Sequence, residues 1–289
     1  TLFKSMSKSI PPPAGWCWAI GAGLIVFAAR CREIHLFASE TPFLDQWQVE
    51  GQQILVPWLK GQFPWASLFA PHQEHIPMWT RLLVWLEASL LGRWDPLLQC
   101  TINAGLWGAT VGLWSHWFRT QLPKLPAIGL SLFAVVMASL PFGWENSTWG
   151  FQSHIPLALL FITVHIHGSF AASPFTNRWW VAQIAGLFAL FTLGSMWAAP
   201  LAVLIVFLWT GEYDRRRWIP AALLSGLGLG LMLWARSVQP HEGALALSAN
   251  SLPQFLAALL IQLGWPSQLP AAAAILNLPV ILLAWQIRG

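Results

Sequence analysis

The stretch APHQEHIPMWTRLLVWLEASLLGRW, residues 70–94, decides the architecture. It opens with His72, Glu74 and His75 close together, the density of an active site. It then runs apolar like a membrane helix, but Arg81 and Glu87 interrupt it. Each of those charges costs about 2.5–3.5 kcal/mol near a bilayer centre, and 76–92 is at the short end of the roughly 17–25 residues of a span. Whether 76–92 crosses or lies at the surface sets the side of every later loop.

The surrounding composition is that of a membrane protein. Of 289 residues, 56% are hydrophobic and 9% charged, against about 25% charged in a soluble domain. The apolar segments are continuous, whereas a β-barrel would alternate apolar and polar residues. The fold class expected is all-α, a polytopic transmembrane bundle with amphipathic surface helices in its first outer loop. It forms one transmembrane domain over 1–289. The first span is 15–35, the outer loop 36–92, and the remaining spans fall in 95–287: 96–118, 125–140, 155–170, 179–196, 197–211, 218–235, 252–265 and 271–287, about nine in all. No internal repeat is evident.

Several residue classes narrow the function. Most of the 21 tryptophans read as anchors at headgroup level. Cys17, Cys31 and Cys100 lie in or beside apolar segments without a CxxC pair and read as inert. The net charge of +4 reflects topology, and no basic patch interleaved with aromatics points to nucleic acid. Lys4 and Lys8 ahead of Pro11–Pro13 and an apolar run read as an uncleaved signal anchor. A chain that opens on Thr1 and stops just after an apolar segment is compatible with a piece of a longer protein.

Basic residues choose between the two topologies, because short cytoplasmic loops collect Lys and Arg. If 76–92 does not cross, Lys4, Lys8, Arg119, Lys124, Arg178 and Arg215–Arg217 all fall inside. If it crosses, the loops with Arg119, Arg178 and Arg215 move outside. The segment is therefore read as an interfacial or re-entrant helix, with 36–92, 141–154 and 236–251 sharing the outer face.

Those outer segments hold the chemistry. In 39–65, Leu44, Trp47, Ile54, Leu55 and Trp58 fall on one side of an α-helix, and Asp45, Gln48 and Gln52 on another. Asp45 is either a carboxylate favoured by the helix dipole or a general base held at the membrane surface. His72 and His75, three apart, fit one helical turn, but not the i, i+4 zinc-protease spacing. With Glu74 they read as a hydrogen-bonding cluster for a polar substrate, and a divalent metal is the minor reading. Arg81 either pairs with Glu74 or forks onto a phosphate. Glu145, Asn146, Gln152 and His154 lie between Trp-flanked spans, as a polar turn or a cavity wall. Arg236, His241 and Glu242 form a last outer group, with Arg236 a snorkelling anchor or a second phosphate contact.

One span, an acidic amphipathic helix, the run from Pro71 through His72, Glu74, His75 and Ile76-Pro77 to Arg81, and then many spans: this layout resembles the GT-C membrane glycosyltransferases that use polyprenyl-phosphate sugars. The resemblance implies that Asp45, in the first outer loop, is the catalytic base. It likens 71–81 to a second surface helix, and Glu145-Asn146 with Trp149 to Gln152 to the later loop lining the substrate cavity. Asp45-Gln46-Trp47 stands where many members carry two acidic residues, and His75-Ile76-Pro77 where many carry His-Pro-Pro.

The expected function is inverting transfer from a polyprenyl-phosphate sugar to a glycan, lipid or protein acceptor at the outer face of a bacterial inner membrane. His72, Glu74, His75, Arg81, Glu145, Asn146, Gln152 and Arg236 are the expected substrate-binding residues. No cofactor is expected beyond the lipid-linked sugar donor. The alternatives are a transporter or flippase, whose polar groups would sit within the spans, and a metal-dependent hydrolase using His72, Glu74 and His75.

Overall fold

The structure, a computed structural model, describes residues 12–63, 65–238, 249–264, 269 and 271–287; the Lys4/Lys8 anchor and His241/Glu242 lie outside them. The described residues are helical throughout, without a strand; one isolated β-bridge joins His72 and His75. The helices are α1 (Pro12–Phe37), a π-helix (Gln46–Leu55), α2 (Val56–Leu59), α3 (Trp65–Leu68), α4 (Met78–Leu91), α5 (Pro96–Gln121), α6 (Lys124–Ser139) and α7 (Glu145–Thr148). Then come α8 (His154–Ala171), α9 (Asn177–Ala189), α10 (Ala198–Trp209), α11 (Arg215–Val238), α12 (Leu252–Leu263) and α13 (Ala272–Ile287).

Local chemistry sets the boundaries. Asp95 caps α5 by accepting from Leu98 N at 3.0 Å, with Pro96 in the first turn. Gly92 ends α4 in the left-handed region at φ +67°. Successive long helices then run back and forth. One end of the bundle gathers 38–77, 140–153 and 190–197; the other gathers Arg119, Lys124, Arg178 and Arg215–Arg217.

α1 and α5 pack closely because small residues face each other. A Cβ on Gly23 would meet Gly108 O at 2.7 Å, and one on Gly112 would meet Ala19 O at 2.9 Å. Gly108 and Gly112 on α5 and Ala19 and Gly23 on α1 thus give the small-xxx-small contact by which helices associate in lipid. Val26 and Val111, with Ala134 and Ala138 of α6, complete that core.

Three helical segments among the described residues are long and apolar enough to cross a membrane: Lys124–Gly143, Gly150–Ala171 and Arg215–Val238. Large apolar side chains on them, among them Leu125, Phe133 and Leu223, point out of the bundle. This corrects the expectation of about nine spans, for physical reasons. α1 and α5 have the length, 26 residues each, but carry Arg30, Arg32 and Glu33 in one and Gln99, Asn103 and Thr110 in the other. The segments expected at 179–196 and 197–211 become helices of 13 and 12 residues, about 18–20 Å at 1.5 Å per residue. Between them the chain leaves the helix at Leu190–Leu193 and forms a 3-10 turn at Gly194–Trp197. α4, at 14 residues, spans only about 21 Å.

The 39–65 segment also departs from its expected form. Its centre is a π-helix, which bonds i to i+5, is rare overall and is frequent at functional sites. Gln46 and Leu55 are nine residues apart, two and a half α-turns, so an α-helix would set them on opposite sides. The wider turn brings both inward, with Glu50 and Ile54. Leu44 and Trp47, expected on the same side as Ile54 and Leu55, are 60% and 56% exposed, whereas Ile54 and Leu55 are buried.

Candidate functional site

Asp45 and His72 meet at the loop end of the bundle, with His72 Nε2 3.3 Å from Asp45 Oδ2. A carboxylate only accepts, so the ring nitrogen carries the proton and donates it. Burial lowers the His72 pKa, against the pull of the Asp45 carboxylate; the Arg81 charge lowers it further. His72 is therefore neutral at pH 7. Asp45 Oδ1 accepts no hydrogen bond among the described residues, and the Asp45 side chain is 36% exposed. One oxygen is held and the other is open.

The backbone beside this pair is strained. Leu44 has φ +45° and Gln73 φ +54°, a region that non-glycine residues rarely occupy. Of the three such residues among those described, these two flank Asp45 and His72; the third, Phe175, lies at the other end of the bundle. Strain of this kind costs about 1–3 kcal/mol per residue and gathers where geometry serves function.

His72 and His75 do not share the helical turn expected for them. They face each other across a tight turn, with His72 N donating to His75 O at 2.8 Å and His75 N to His72 O at 3.1 Å. Pro77 and the turn delay the helix to Met78, so 71–77 is not part of a surface helix. His75 stacks on His154 at 5.9 Å between ring centroids, and His72 meets the edge of Phe151 at 5.6 Å. Burial lowers the His75 pKa, against the Glu74 carboxylate, whose Oε1 lies 3.8 Å from His75 Nδ1. Glu74 is exposed and packs its backbone against Gly194, where a Cβ would strike Glu74 O. The break between α9 and α10 thus admits the 72–75 turn.

The 141–154 loop joins the pair through aromatics. Trp149 Nε1 donates to Phe43 O at 3.0 Å, and Asn103 Nδ2 to Gly150 O at 3.0 Å. Glu145 is exposed on α7, Asn146 is half-buried beside Gly143, and Gln152 is half-buried in the 3-10 turn Gly150–Ser153. No hydrogen bond or ion pair among the described residues links these three side chains to Asp45 or His72.

Arg81 is fully buried on α4. It donates to Ala70 O, to Leu68 O at 3.4 Å and to Gln53 Oε1 at 3.0 Å. It clamps the 68–70 turn onto the π-helix, and no ion pair with Glu74 forms; its charge reaches the histidines through space. Arg236 is exposed in the last turn of α11.

Two buried charged residues escaped the sequence reading. Arg30 donates to Ser147 Oγ at 2.7 Å and lies over the Trp107 ring at 4.3 Å, tying α7 to α1 and α5. An arginine inside an expected span, three residues before Glu33, was a legible signal. Glu50 is completely buried, and its Oε2 accepts from Gln99 Nε2 at 3.0 Å, Gln46 Nε2 at 3.2 Å and Trp94 Nε1 at 3.2 Å. Burial pushes its carboxyl up to about 7, against those three donors. Among the described residues no three His, Cys, Asp or Glu side chains converge as ligands for a metal ion.

No family model, curated protein or solved structure matches the chain. The site's chemistry therefore rests on its geometry: a half-exposed carboxylate oriented by a neutral imidazole, under aromatic rings, at the end of an apolar bundle.

Proposed function

We propose that the chain is a polytopic membrane glycosyltransferase of the GT-C type, moving a sugar from a polyprenyl-phosphate donor to an acceptor hydroxyl at the outer face of a bacterial inner membrane. The supporting observation is the Asp45–His72 pair between the strained residues Leu44 and Gln73. Asp45 Oδ1 takes the hydroxyl proton as the acceptor oxygen attacks the anomeric carbon. The bond from that carbon to the phosphate oxygen breaks with inversion, through an oxocarbenium-like transition state. His72 holds the other Asp45 oxygen, and the buried Arg81 adds positive potential behind both histidines. The departing phosphate already carries its charge and needs a cation more than an acid; Arg236, at the loop end of α11, is positioned for headgroup depth. Glu74, His75, Glu145, Asn146 and Gln152 line the acceptor side.

In this reading 124–143, 150–171 and 215–238 cross the bilayer, and the more polar α1 and α5 run alongside them between the same two ends. The Arg119, Lys124, Arg178 and Arg215–Arg217 end is cytoplasmic. The test supplies labelled polyprenyl-phosphate sugars to membranes with wild type or Asp45→Asn and follows release of the lipid phosphate. Release that depends on Asp45 is the expected result. An unchanged rate in the variant removes Asp45 as the base. No release from any donor by folded protein favours a transporter, and stoichiometric zinc in the purified protein favours a hydrolase.

A further inference from the structure

We infer that Glu50 is a positioning residue for Asp45: through Gln46 it fixes the turn that carries Asp45 onto His72. The relay is continuous. Glu50 Oε2 accepts from Gln46 Nε2 at 3.2 Å, and Gln46 Nε2 also donates to Gln99 Oε1 at 2.7 Å. Gln46 is 1% exposed, so its amide is held in one orientation, with its oxygen towards Phe43. That oxygen accepts from Phe43 N at 3.1 Å, while Phe43 O takes the Trp149 indole at 3.0 Å. Both backbone polar groups of Phe43 are thereby fixed, immediately before the strained Leu44 and Asp45.

A buried carboxylate suits this task better than an amide. Three donors converge on its Oε2, and a glutamine carbonyl in that place is a weaker acceptor for all three. The groups facing Glu50 are Gln46 on the π-helix, Gln99 and Cys100 on α5, Trp94 and Asp95 in the preceding turn, and Glu87 on α4. None of these is a cation, so the carboxyl is held by hydrogen bonds alone. Its Oε1 is buried without a partner, which accounts for a pKa near neutrality without a contact to substrate.

The geometric relation stands independently; its effect on turnover rests on the transferase reading. The test titrates His72 by nitrogen-15 resonance in detergent-solubilised protein, assigned by His72→Asn. The variants are Asp45→Asn, Glu50→Gln and Gln46→Leu, the last keeping the Glu50 carboxyl while cutting the relay. Asp45→Asn should lower the His72 midpoint, because the carboxylate raises it. Glu50→Gln and Gln46→Leu should lower it in the same direction, with no further shift when either is combined with Asp45→Asn. A wild-type midpoint in Gln46→Leu overturns the inference, as does a full additional shift in the Asp45→Asn background. In the same preparations both relay variants should lower kcat about tenfold or more at unchanged donor KM. Wild-type turnover by Asp45→Asn sinks the transferase reading while the titration still decides the role of Glu50.

Discussion

Asp45 and His72 lie 27 positions apart and meet at 3.3 Å, each next to a residue whose backbone is left-handed. Two loops are bent against their intrinsic preference at the one place where they touch. A carboxylate that only capped its helix would need neither bend; indeed Asp45 makes no side-chain cap.

Removing the base should cost most. Asp45→Asn should reduce donor turnover by about 10²–10⁴-fold, the span of general-base contributions. His72→Ala leaves the carboxylate in place but free to rotate, so a smaller loss is expected, in kcat more than in KM. Steady-state kinetics on both variants measures the order; a larger loss in His72→Ala would move the base role to the imidazole.

Glu50 should make stability depend on pH. Its carboxyl is raised from 4.5 to about 7, so the folded chain keeps a proton that the unfolded chain has released. The associated stability is fully present below the unfolded value and is lost as pH rises through the folded one. Over that interval the change amounts to about 3 kcal/mol. His72 and His75, lowered by burial, act with the opposite sign, losing stability as pH falls below 6.5. The Tm difference between wild type and Glu50→Gln isolates the glutamate. It should shift in the variant's favour between about pH 5 and about pH 8.

Arg81 should behave as a clamp. Arg81→Ala strands the buried Leu68 carbonyl, at about 1–3 kcal/mol for a group left unpaired, and frees the half-buried Ala70 carbonyl at a smaller cost. Lysine keeps the charge but cannot fork to three acceptors, so Arg81→Lys should recover only part of the loss. Thermal melting should show the deficit while donor KM stays put. A raised KM at unchanged Tm would put the guanidinium on the donor phosphate instead.

The α1–α5 contact gives a paired test. Gly23→Ala and Gly108→Ala each drive a methyl to 2.7 Å from a facing carbonyl oxygen, and overpacking of this kind costs about 1–3 kcal/mol. A methyl at Gly21 or Gly105 would meet nothing within 4 Å. Alanine at either should be neutral or stabilise by up to about 1 kcal/mol through helix propensity. Equal melting of all four variants would remove the close approach.

The sequence made legible what depends on composition and local chemistry. The all-helical character and the short α4 ending at Gly92 followed from apolar length and charge placement, and Asp45, His72 and His75 fell in one outer loop, though on separate helices rather than in contact. What it hid depends on phase and direction. A 3.6-residue wheel sets Leu44 and Trp47 on one side with Ile54 and Leu55, because nothing in QWQVEGQQIL announces i to i+5 bonding. Glu50 then looks like one polar residue among several. Arg81 has a readable charge but no readable aim, and two of its acceptors are main-chain oxygens that sequence does not mark. The break at 190–193 is hidden by apolar neighbours, although Thr192, Gly194 and Ser195 supply small and polar residues there.

The wide turn from Gln46 to Leu55 makes this segment sensitive to length rather than to identity. An ordinary helix would return Gln46 and Leu55 to one side with about two residues fewer, and removing a single residue would swing every side chain before the deletion round by about a quarter of a turn or more. Gln46 would leave Glu50, and Asp45 would leave His72, with no functional side chain altered. Single-residue deletions between 47 and 53 should therefore do more damage than most substitutions in the same interval. In chains descended from the same ancestor, gaps in this stretch should be rarer than mismatches.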